Sequence, residues 1–245
     1  MAAVHNGMRM PSFSGLNYKI DVHDLVKSVH EEGIIIKPGI PANIFLFEEQ
    51  TAPDADFVPG VEYNMTNKFL KNMNLARLLN PGLPVLVHMS TNGGDWYNGM
   101  AIYDTIKKYP AQVTILDYRH SSSMSSIIFL AADKRVMAED SHFMYHDGWM
   151  SSFNTWKGYE AEYEFLKKTF DVKMWDIYAE ALMEQGKYKG FPKEEIIEIL
   201  HNNRDKKQDV YLTAQEAVEW GFADEVFDGN WENLAKYTKE QRKRK

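Results

Sequence analysis

A glycine-rich turn, a cluster of serines, a histidine and an aspartate are the residues of this chain that could do chemistry together. The turn covers residues 92–95 (Asn-Gly-Gly-Asp), and Ser123 follows 29 residues after Gly94 (123 − 94). A serine hydroxyl becomes a nucleophile only when a base accepts its proton and hydrogen-bond donors hold the oxyanion that it creates. Because the sequence offers a candidate for each part, it invites a test for nucleophilic catalysis.

The serine cluster, residues 121–126 (Ser-Ser-Ser-Met-Ser-Ser), lies between a predicted strand that ends near Leu116 and a predicted apolar helix that begins near Ile127. A hydroxyl at this helix N-terminus would lie beside free backbone N–H groups, which suit an oxyanion. Serine is also a common N-cap residue, so plain capping explains the same pattern. The cluster by itself does not name a nucleophile.

His146 and Asp209 are the candidates for the base and for the carboxylate that orients it. His146 follows a short predicted strand and precedes a glycine-containing turn. Three further histidines compete for the same role: His88, His120 and His142. Asp209 precedes a predicted helix over residues 214–220, and Thr213 is the better N-cap for that helix. The Asp209 carboxylate is therefore free for another role.

The bulk composition limits the classes of function. With 245 residues and 44% hydrophobic content, the chain can bury a large core, and we favour one main domain. The formal charge of −7 argues against a nucleic-acid partner, and the basic residues 239–245 are expected to form a solvated tail. No run approaches the ~20 apolar residues that span a bilayer, so we expect no membrane partner and a cytoplasmic location.

Metal and cofactor chemistry also finds little support in the sequence. The chain has no cysteine, which excludes disulfides and thiolate ligands and fits a reducing compartment. It has no His-Glu-x-x-His motif, no histidine pair at ligand spacing and no carboxylate cluster, so we expect no metal. The Gly-Gly turn lacks the spacing of a phosphate loop or a dinucleotide fingerprint. We therefore expect no cofactor.

Apolar runs alternate with helix-length segments, and this alternation predicts an α/β fold. The predicted strands cover residues 43–47, 84–89 and 113–116, and the predicted helices cover 63–80, the segment before Pro110, about 127–132 and 157–185. The last helix would be roughly 40 Å long. Outside its main apolar stripe, this helix also carries Trp156, Trp175 and Tyr178. These aromatic residues predict that part of the helix packs against another subunit rather than facing water. We divide the chain into an N-terminal extension (1–42), a main domain (43–230) and a basic C-terminal tail (231–245).

Three blocks of the sequence resemble the proteolytic subunit of the Clp protease, the ClpP family, within the ClpP/crotonase-like fold group. Residues 92–104 hold Gly-Gly and then Gly-Met-Ala-Ile-Tyr-Asp, similar to the family's Asn-Ser-Pro-Gly-Gly and Gly-Met-Ala-Ile-Tyr-Asp-Thr. Residues 121–124 stand where the family has Ala-Ala-Ser-Met, and residues 143–146 where it has Val-Met-Ile-His. Residues 208–224 resemble the block that holds the family's triad acid.

The resemblance implies a serine endopeptidase with Ser123 as nucleophile, His146 as base and Asp209 as the triad acid. The expected oxyanion donors are the backbone N–H groups of Gly94 and Met124. The expected substrate-binding residues are Gly93, Trp96 and Trp149. The family also implies repeated ββα units with a long handle helix, and homo-oligomeric rings stacked around a closed chamber. Such a chamber would cleave unfolded polypeptides and would need an AAA+ unfoldase as partner for folded ones.

The chain departs from the family pattern at several positions. Asn92 stands where the family has proline, Ser125 where it has glycine, and Asp147 where it has glutamine. Asp147 is expected to raise the pKa of His146 or to serve as an alternative orienting carboxylate. The 63 residues from His146 to Asp209 (209 − 146) exceed the usual separation and predict an enlarged head region near residues 186–204.

Two readings of another kind stay open. A crotonase-like acyl-CoA enzyme would share the fold and a backbone oxyanion hole. A non-catalytic ring subunit would share the assembly without hydrolysis. A dedicated processing protease, such as one that matures a viral capsid, is a narrower form of the peptidase reading.

Overall fold

The structure is a computed structural model that describes residues 22–49, 60–149 and 151–238. Within these ranges eight strands form one mixed sheet. The strands are β1 Ile34–Lys37, β2 Ile40–Phe47, β3 Val85–Thr91, β4 Val113–Ser122, β5 Lys134–Met137, β6 His142–Tyr145, β7 Val210–Thr213 and β8 Glu225–Val226. The order is β1-β2-β3-β4-β5-β8, and every pair from β2 onward is parallel. The far half of β4 also pairs with β6, which continues antiparallel to β7.

Helices cover the sheet, which confirms the predicted α/β class. They are α1 Val22–Lys27 with a π-helical turn Ser28–Glu32, α2 Tyr63–Leu79, α3 Trp96–Lys107, α4 Met124–Leu130, α5 Trp156–Leu166, α6 Val172–Glu184, α7 Lys193–Lys207, α8 Ala214–Trp220 and a 3₁₀ helix Trp231–Thr238. Strands β3 and β4 are buried almost throughout, as expected for central parallel strands covered on both faces. None of the helices in the described ranges is both long enough and apolar enough to cross a membrane.

The serine cluster spans a strand–helix junction, and the predicted junction was wrong in its bounds. Strand β4 runs on to Ser122 rather than ending near Leu116, and α4 begins at Met124 rather than near Ile127. The prediction relied on a run of apolar residues, and the residues of β4 from Asp117 onward are mostly polar, so the second half of the strand was missed. Pairing of His120–Ser122 with β6 supplies the backbone partners that keep this segment extended.

The long helix was predicted over residues 157–185, and it covers 156–184 as α5, a π-helical segment Lys167–Asp171, and α6. Its two halves differ, since α5 buries none of its residues whereas α6 buries seven. Trp175 and Tyr178 are buried in the core of their own chain, so the prediction that they face another subunit was wrong. Helix α6 has neighbours on two sides, α4 and α7, and both side chains point inward. Trp156 is exposed in the single chain, and its packing against another subunit stays a prediction.

The fold extends beyond the domain bounds expected from the sequence. Strand β1, Ile34–Lys37, pairs antiparallel with β2 although residues 1–42 were assigned to an N-terminal extension. At the other end, the 3₁₀ helix Trp231–Thr238 packs the fully buried Tyr237 onto Leu86 and Leu116. These parts of the expected extension and tail therefore contribute to the sheet and its cover. Residues 1–21 and 239–245 lie outside the described ranges.

Candidate active site

Four chain segments meet at one edge of the sheet. Strands β3, β4 and β6 end there, at Thr91, Ser122 and Tyr145, and β7 begins there at Val210. The carboxyl ends of parallel strands form the usual site for chemistry in an open α/β sheet. The topology thus brings the Gly-Gly turn, the serine cluster, His146 and Asp209 to the same edge, as the sequence blocks required.

Ser123 lies in the one-residue turn between β4 and α4, with φ 54° and ψ −127°. A positive φ is uncommon and strained for a residue with a side chain, and strain of this kind is concentrated at functional sites. A tight strand-to-helix turn also raises the side chain above the sheet edge. The Ser123 hydroxyl makes no capping hydrogen bond to α4, so plain N-capping, the alternative reading of the cluster, does not describe it.

Buried hydrogen bonds hold this turn in place, and Ser125 makes most of them. Its Oγ accepts the N–H of Ser122 at 2.8 Å and lies 2.7 Å from the carbonyl oxygens of both Ser122 and Thr91. The N–H of Ser123 donates to the carbonyl of Met144 at 3.1 Å, which ties the turn to β6. Ser125, a departure from the family pattern, therefore stitches the turn to the end of β3.

The strand register explains why His146 and Asp209 face each other. Strands β6 and β7 pair antiparallel, and their last pair is Tyr145 with Val210. The next pair in that register is His146 with Asp209, and directly opposed side chains in antiparallel strands lie within reach of each other. A separation of 63 residues along the chain (209 − 146) thus becomes a contact between neighbours.

The three side chains form a hydrogen-bond series. His146 Nε2 lies 2.8 Å from Ser123 Oγ, and His146 Nδ1 lies 3.2 Å from Asp209 Oδ1. The imidazole is 19% exposed and the carboxylate 43% exposed, so one face of the series is open to solvent. In neutral histidine with Nδ1 protonated, Nδ1–H donates to the carboxylate and Nε2 accepts from the hydroxyl.

The predicted oxyanion donors are the backbone N–H groups of Met124 and Gly94. Met124 is the first residue of α4, where N–H groups have no partner within the helix. Gly94 forms a parallel bridge with Val61, in which Val61 donates to Gly93 O and Asp95 donates to Val61 O. This pattern leaves the N–H of Gly94 itself on the opposite edge. Both predicted oxyanion donors are thus free of partners from these elements.

The two glycines of the turn are needed for different reasons. Gly93 has φ 102°, and a Cβ there would lie 2.6 Å from Ser122 O and 2.8 Å from Met124 N. Gly94 has φ 151°, and a Cβ there would lie 2.5 Å from Val61 O. The space beside Gly94 is filled by the chain's own backbone at Val61, which excludes a side chain there. Gly93 is the glycine that packs against the Ser123 turn.

Asn92, which stands in the place of the family's proline, donates its backbone N–H to Glu48. Proline has no N–H, so proline at this position could not make the contact.

Of the predicted substrate-binding tryptophans, Trp96 stacks on Phe170 of the long helix, with ring centroids 4.9 Å apart. Trp149 is 85% exposed and lies three residues beyond His146. Only Trp149 therefore extends freely into solvent near the histidine.

Asp147 does not contact the imidazole as an alternative orienting carboxylate. Its Oδ1 lies 2.5 Å from Nη1 of Arg204, on α7. That helix forms most of the region that was expected to enlarge the head, and its last turn leads directly into Asp209. The sequence drew attention to Asp147 but not to Arg204 as its partner, because ion pairs between distant segments leave no periodic signal.

The competing histidines have other surroundings. Burial lowers the pKa of His88 to about 4, and its ring nitrogens bond to Tyr118 Oη at 2.6 Å and Asn43 Oδ1 at 2.9 Å. Burial also lowers the pKa of His120, whose ring lies 5.1 Å from that of His142. No cluster of three metal-ligating side chains occurs within the ranges that the structure describes.

Comparison with known proteins shows the family to which the chain belongs. A profile of the Clp protease family matches residues 55–230, which is most of the chain. The chain is also 28% identical over 175 residues to the ATP-dependent Clp protease proteolytic subunit of Deinococcus radiodurans, covering 71% of this chain and 79% of that protein. The chain therefore belongs to the Clp protease family, as a divergent member with a ClpP-like α/β fold.

Proposed function

We propose that the chain is a serine endopeptidase in which Ser123, His146 and Asp209 act as one catalytic series. The observation that carries this proposal is the pair of contacts at His146, 2.8 Å to Ser123 Oγ and 3.2 Å to Asp209 Oδ1. His146 Nε2 takes the hydroxyl proton as Ser123 Oγ attacks the peptide carbonyl carbon, and it later gives the proton to the leaving amine. Asp209 holds the Nδ1–H tautomer and stabilises the imidazolium that forms.

The oxyanion of the tetrahedral intermediate is proposed to lie between the N–H groups of Gly94 and Met124. Among the residues that the structure describes, neither N–H group has a hydrogen-bond partner. Met124 follows Ser123 directly, and Gly94 follows Gly93, which packs against the Ser123 turn. Donors fixed before the reaction stabilise developing charge without reorganisation, and removing one typically costs about 10²–10³ in rate. The acyl-enzyme on Ser123 Oγ is then released by a water that His146 activates in the same way.

The substrate is proposed to be an extended, unfolded polypeptide. A peptide can pair with the free edge of Gly94, because the opposite edge is occupied by Val61. Helix α3 begins at Trp96, so a longer strand cannot be paired beyond Asp95. The segment that follows His146, with Trp149 exposed, is the second wall of the proposed groove.

Assembly into a closed chamber of stacked rings, with an AAA+ unfoldase to deliver folded substrates, is proposed from family membership. The exposed aromatic residues of α5 suit a buried assembly contact, because such residues are costly to leave in water. The chain itself has no phosphate-binding loop, so unfolding driven by ATP would require a partner protein.

Labelling with a fluorophosphonate tests the activated serine. The wild-type chain should gain one adduct, located on Ser123 by peptide mass spectrometry. Ser123→Ala should abolish the adduct, whereas Ser122→Ala, which removes a neighbouring hydroxyl, should retain it. Absence of an adduct from the wild type, as the non-catalytic and acyl-CoA readings predict, would contradict the proposal. An adduct combined with cleavage of a single protein sequence would favour the dedicated processing protease.

A further inference from the structure

Arg204 bonds to a chain neighbour of His146 and to a chain neighbour of Asp209. Its Nη1 lies 2.5 Å from Oδ1 of Asp147, the residue that follows His146. Its carbonyl oxygen accepts the N–H of Gln208, the residue that precedes Asp209, at 2.6 Å. We propose that Arg204 is a positioning residue that keeps the His146 imidazole and the Asp209 carboxylate aligned. This inference rests on the proposed peptidase function.

The guanidinium of Arg204 is fixed by more than one partner. Its Nε and Nη2 both lie 2.8 Å from Oδ1 of Asp205. Its Cζ lies 5.5 Å from the ring centroid of Trp175, which is buried and donates its Nε1–H to Asp171 at 2.9 Å. A planar fork that is held by two carboxylates and an aromatic face has little freedom to move. Arg204 can therefore serve as a fixed point for the residues that it holds.

A tight turn of the backbone connects Arg204 to Asp209 and fixes where Asp209 lies relative to α7. Gln208 has φ 62° and ψ −65°, and the N–H of Asp209 donates to Lys207 O at 2.8 Å. These values define a three-residue turn with positive φ, which is rare and strained for a residue with a side chain. Such a turn persists only where its surroundings impose it. Here the last turn of α7, through the carbonyl of Arg204, supplies that constraint.

The hydrogen bond between His146 and Asp209 is partly exposed, so it needs support from its surroundings. Asp209 lies 3.2 Å from Nδ1 of His146, and its carboxylate is 43% exposed. A hydrogen bond that is partly exposed competes with water, so its net contribution to stability is small. The arginine also occupies Asp147 Oδ1, so the neighbouring carboxylate is kept from competing for Nδ1. Alignment and exclusion of the wrong carboxylate thus depend on the same side chain.

Steady-state hydrolysis of a fluorogenic peptide by the full chain tests this role, with kcat, KM, thermal midpoint and ring size measured for each variant. Arg204→Met keeps the stem over Trp175 but removes the fork, and Asp147→Asn removes the same ion pair from its other end. Each should lower kcat about 10- to 100-fold, as expected for a small misplacement of reacting groups, with KM nearly unchanged. The double variant should be no worse than the poorer single variant, because one contact is lost in all three.

Two further variants separate positioning from general support. Arg204→Lys retains the charge without the fork and should recover part of the lost kcat. Lys193→Met removes a comparable ion pair between α7 and α6, to Asp176 at 2.7 Å, at the other end of α7, and should leave kcat unchanged. The inference is overturned if kcat of the Arg204→Met and Asp147→Asn variants matches the wild type, or if Lys193→Met loses as much. Absence of hydrolysis from the wild type would instead overturn the proposed function.

Discussion

The two sides of His146 are built differently. On the Ser123 side, the half-buried serine lies in a turn that is held by neutral hydrogen bonds with the buried Ser125 and with the carbonyl of Met144. The Asp209 side is partly exposed and is held by a strained turn and the ion pair between Arg204 and Asp147. Removing one partner of a buried hydrogen bond is costly to folding, whereas exposed ion pairs contribute little stability. The first side should therefore fail by unfolding, and the second by losing alignment while it stays folded.

The largest effect expected on the exposed side is that of Asp209→Asn. The amide can donate to Nδ1 and so favour the wrong tautomer of His146, and we expect kcat for peptide hydrolysis to fall about 10⁴-fold. The thermal midpoint should change by less than about 4 °C, because an exposed pair is lost. A large fall in the midpoint would show that the two sides do not differ as described.

Asp117 lies on β4, the strand that leads into the Ser123 turn, and the pH dependence of stability tests how strongly this strand is buried. It is fully buried, and burial raises its pKa to about 7 against the opposing influence of the Ser121 hydroxyl and the Arg119 backbone. The folded state therefore binds this proton more tightly than the unfolded state, whose pKa is near 4. The contribution of Asp117 to the free energy of unfolding is therefore greatest below pH 4 and falls as pH rises from about 4 to about 7, by at most about 1.4 kcal/mol per pH unit.

Asp117→Asn should remove this dependence, so the free energy of unfolding of the wild type should fall relative to that of the variant over the same interval. Urea denaturation of both proteins at pH 5, 6, 7 and 8 measures the difference. A constant difference across that series would mean that Asp117 is not held protonated by its surroundings.

Gly93→Ala tests whether a change on the Ser123 side alters both folding and alignment, because the glycine packs against the Ser123 turn. The new methyl group would lie 2.6 Å from Ser122 O at a φ of 102°, so the turn must shift. A displacement near 1 Å of the reacting groups costs about 10²-fold in rate, and overpacking of this kind costs about 1–3 kcal/mol. Hydrolysis and denaturation should both detect the change. An unaltered kcat would show that the turn does not depend on this glycine.

Ser125→Ala should give the smallest effect on activity and a clear effect on folding. It leaves the buried N–H of Ser122 without its acceptor, at a cost of about 1–3 kcal/mol. The midpoint of urea denaturation should fall, and the remaining folded protein should keep most of its kcat. Equal stability of variant and wild type would contradict the view that Ser125 stitches the turn.

Much of the fold could be predicted from the sequence, because its signals are local. Helix α2 and the long helix follow from apolar spacing, and Thr213 caps α8 as expected. The bounds of β4 could not be found in this way, because its second half is polar and is extended only through pairing with β6. Strand β1 was likewise hidden, since its short apolar run gains meaning only beside β2.

The candidate site shows the same division. Ser123, His146 and Asp209 could be proposed because each lies in a block with a family pattern, and the structure brings them together. Arg204 and Ser125 could not, since their roles depend on contacts between segments that are distant in sequence. The prediction for Trp175 and Tyr178 was wrong because the sequence does not show whether aromatic residues on a helix are buried in the core of the same chain or at an interface with a partner.

The central claim is that Ser123 is the nucleophile, and the rate of peptide hydrolysis by Ser123→Ala tests it most directly. Ser122→Ala, measured beside it, removes only an adjacent hydroxyl, and its thermal midpoint is measured to check that the fold is kept. The account predicts a fall in kcat of at least about 10⁴-fold for Ser123→Ala and little change for Ser122→Ala. Hydrolysis by Ser123→Ala at the wild-type rate would contradict it.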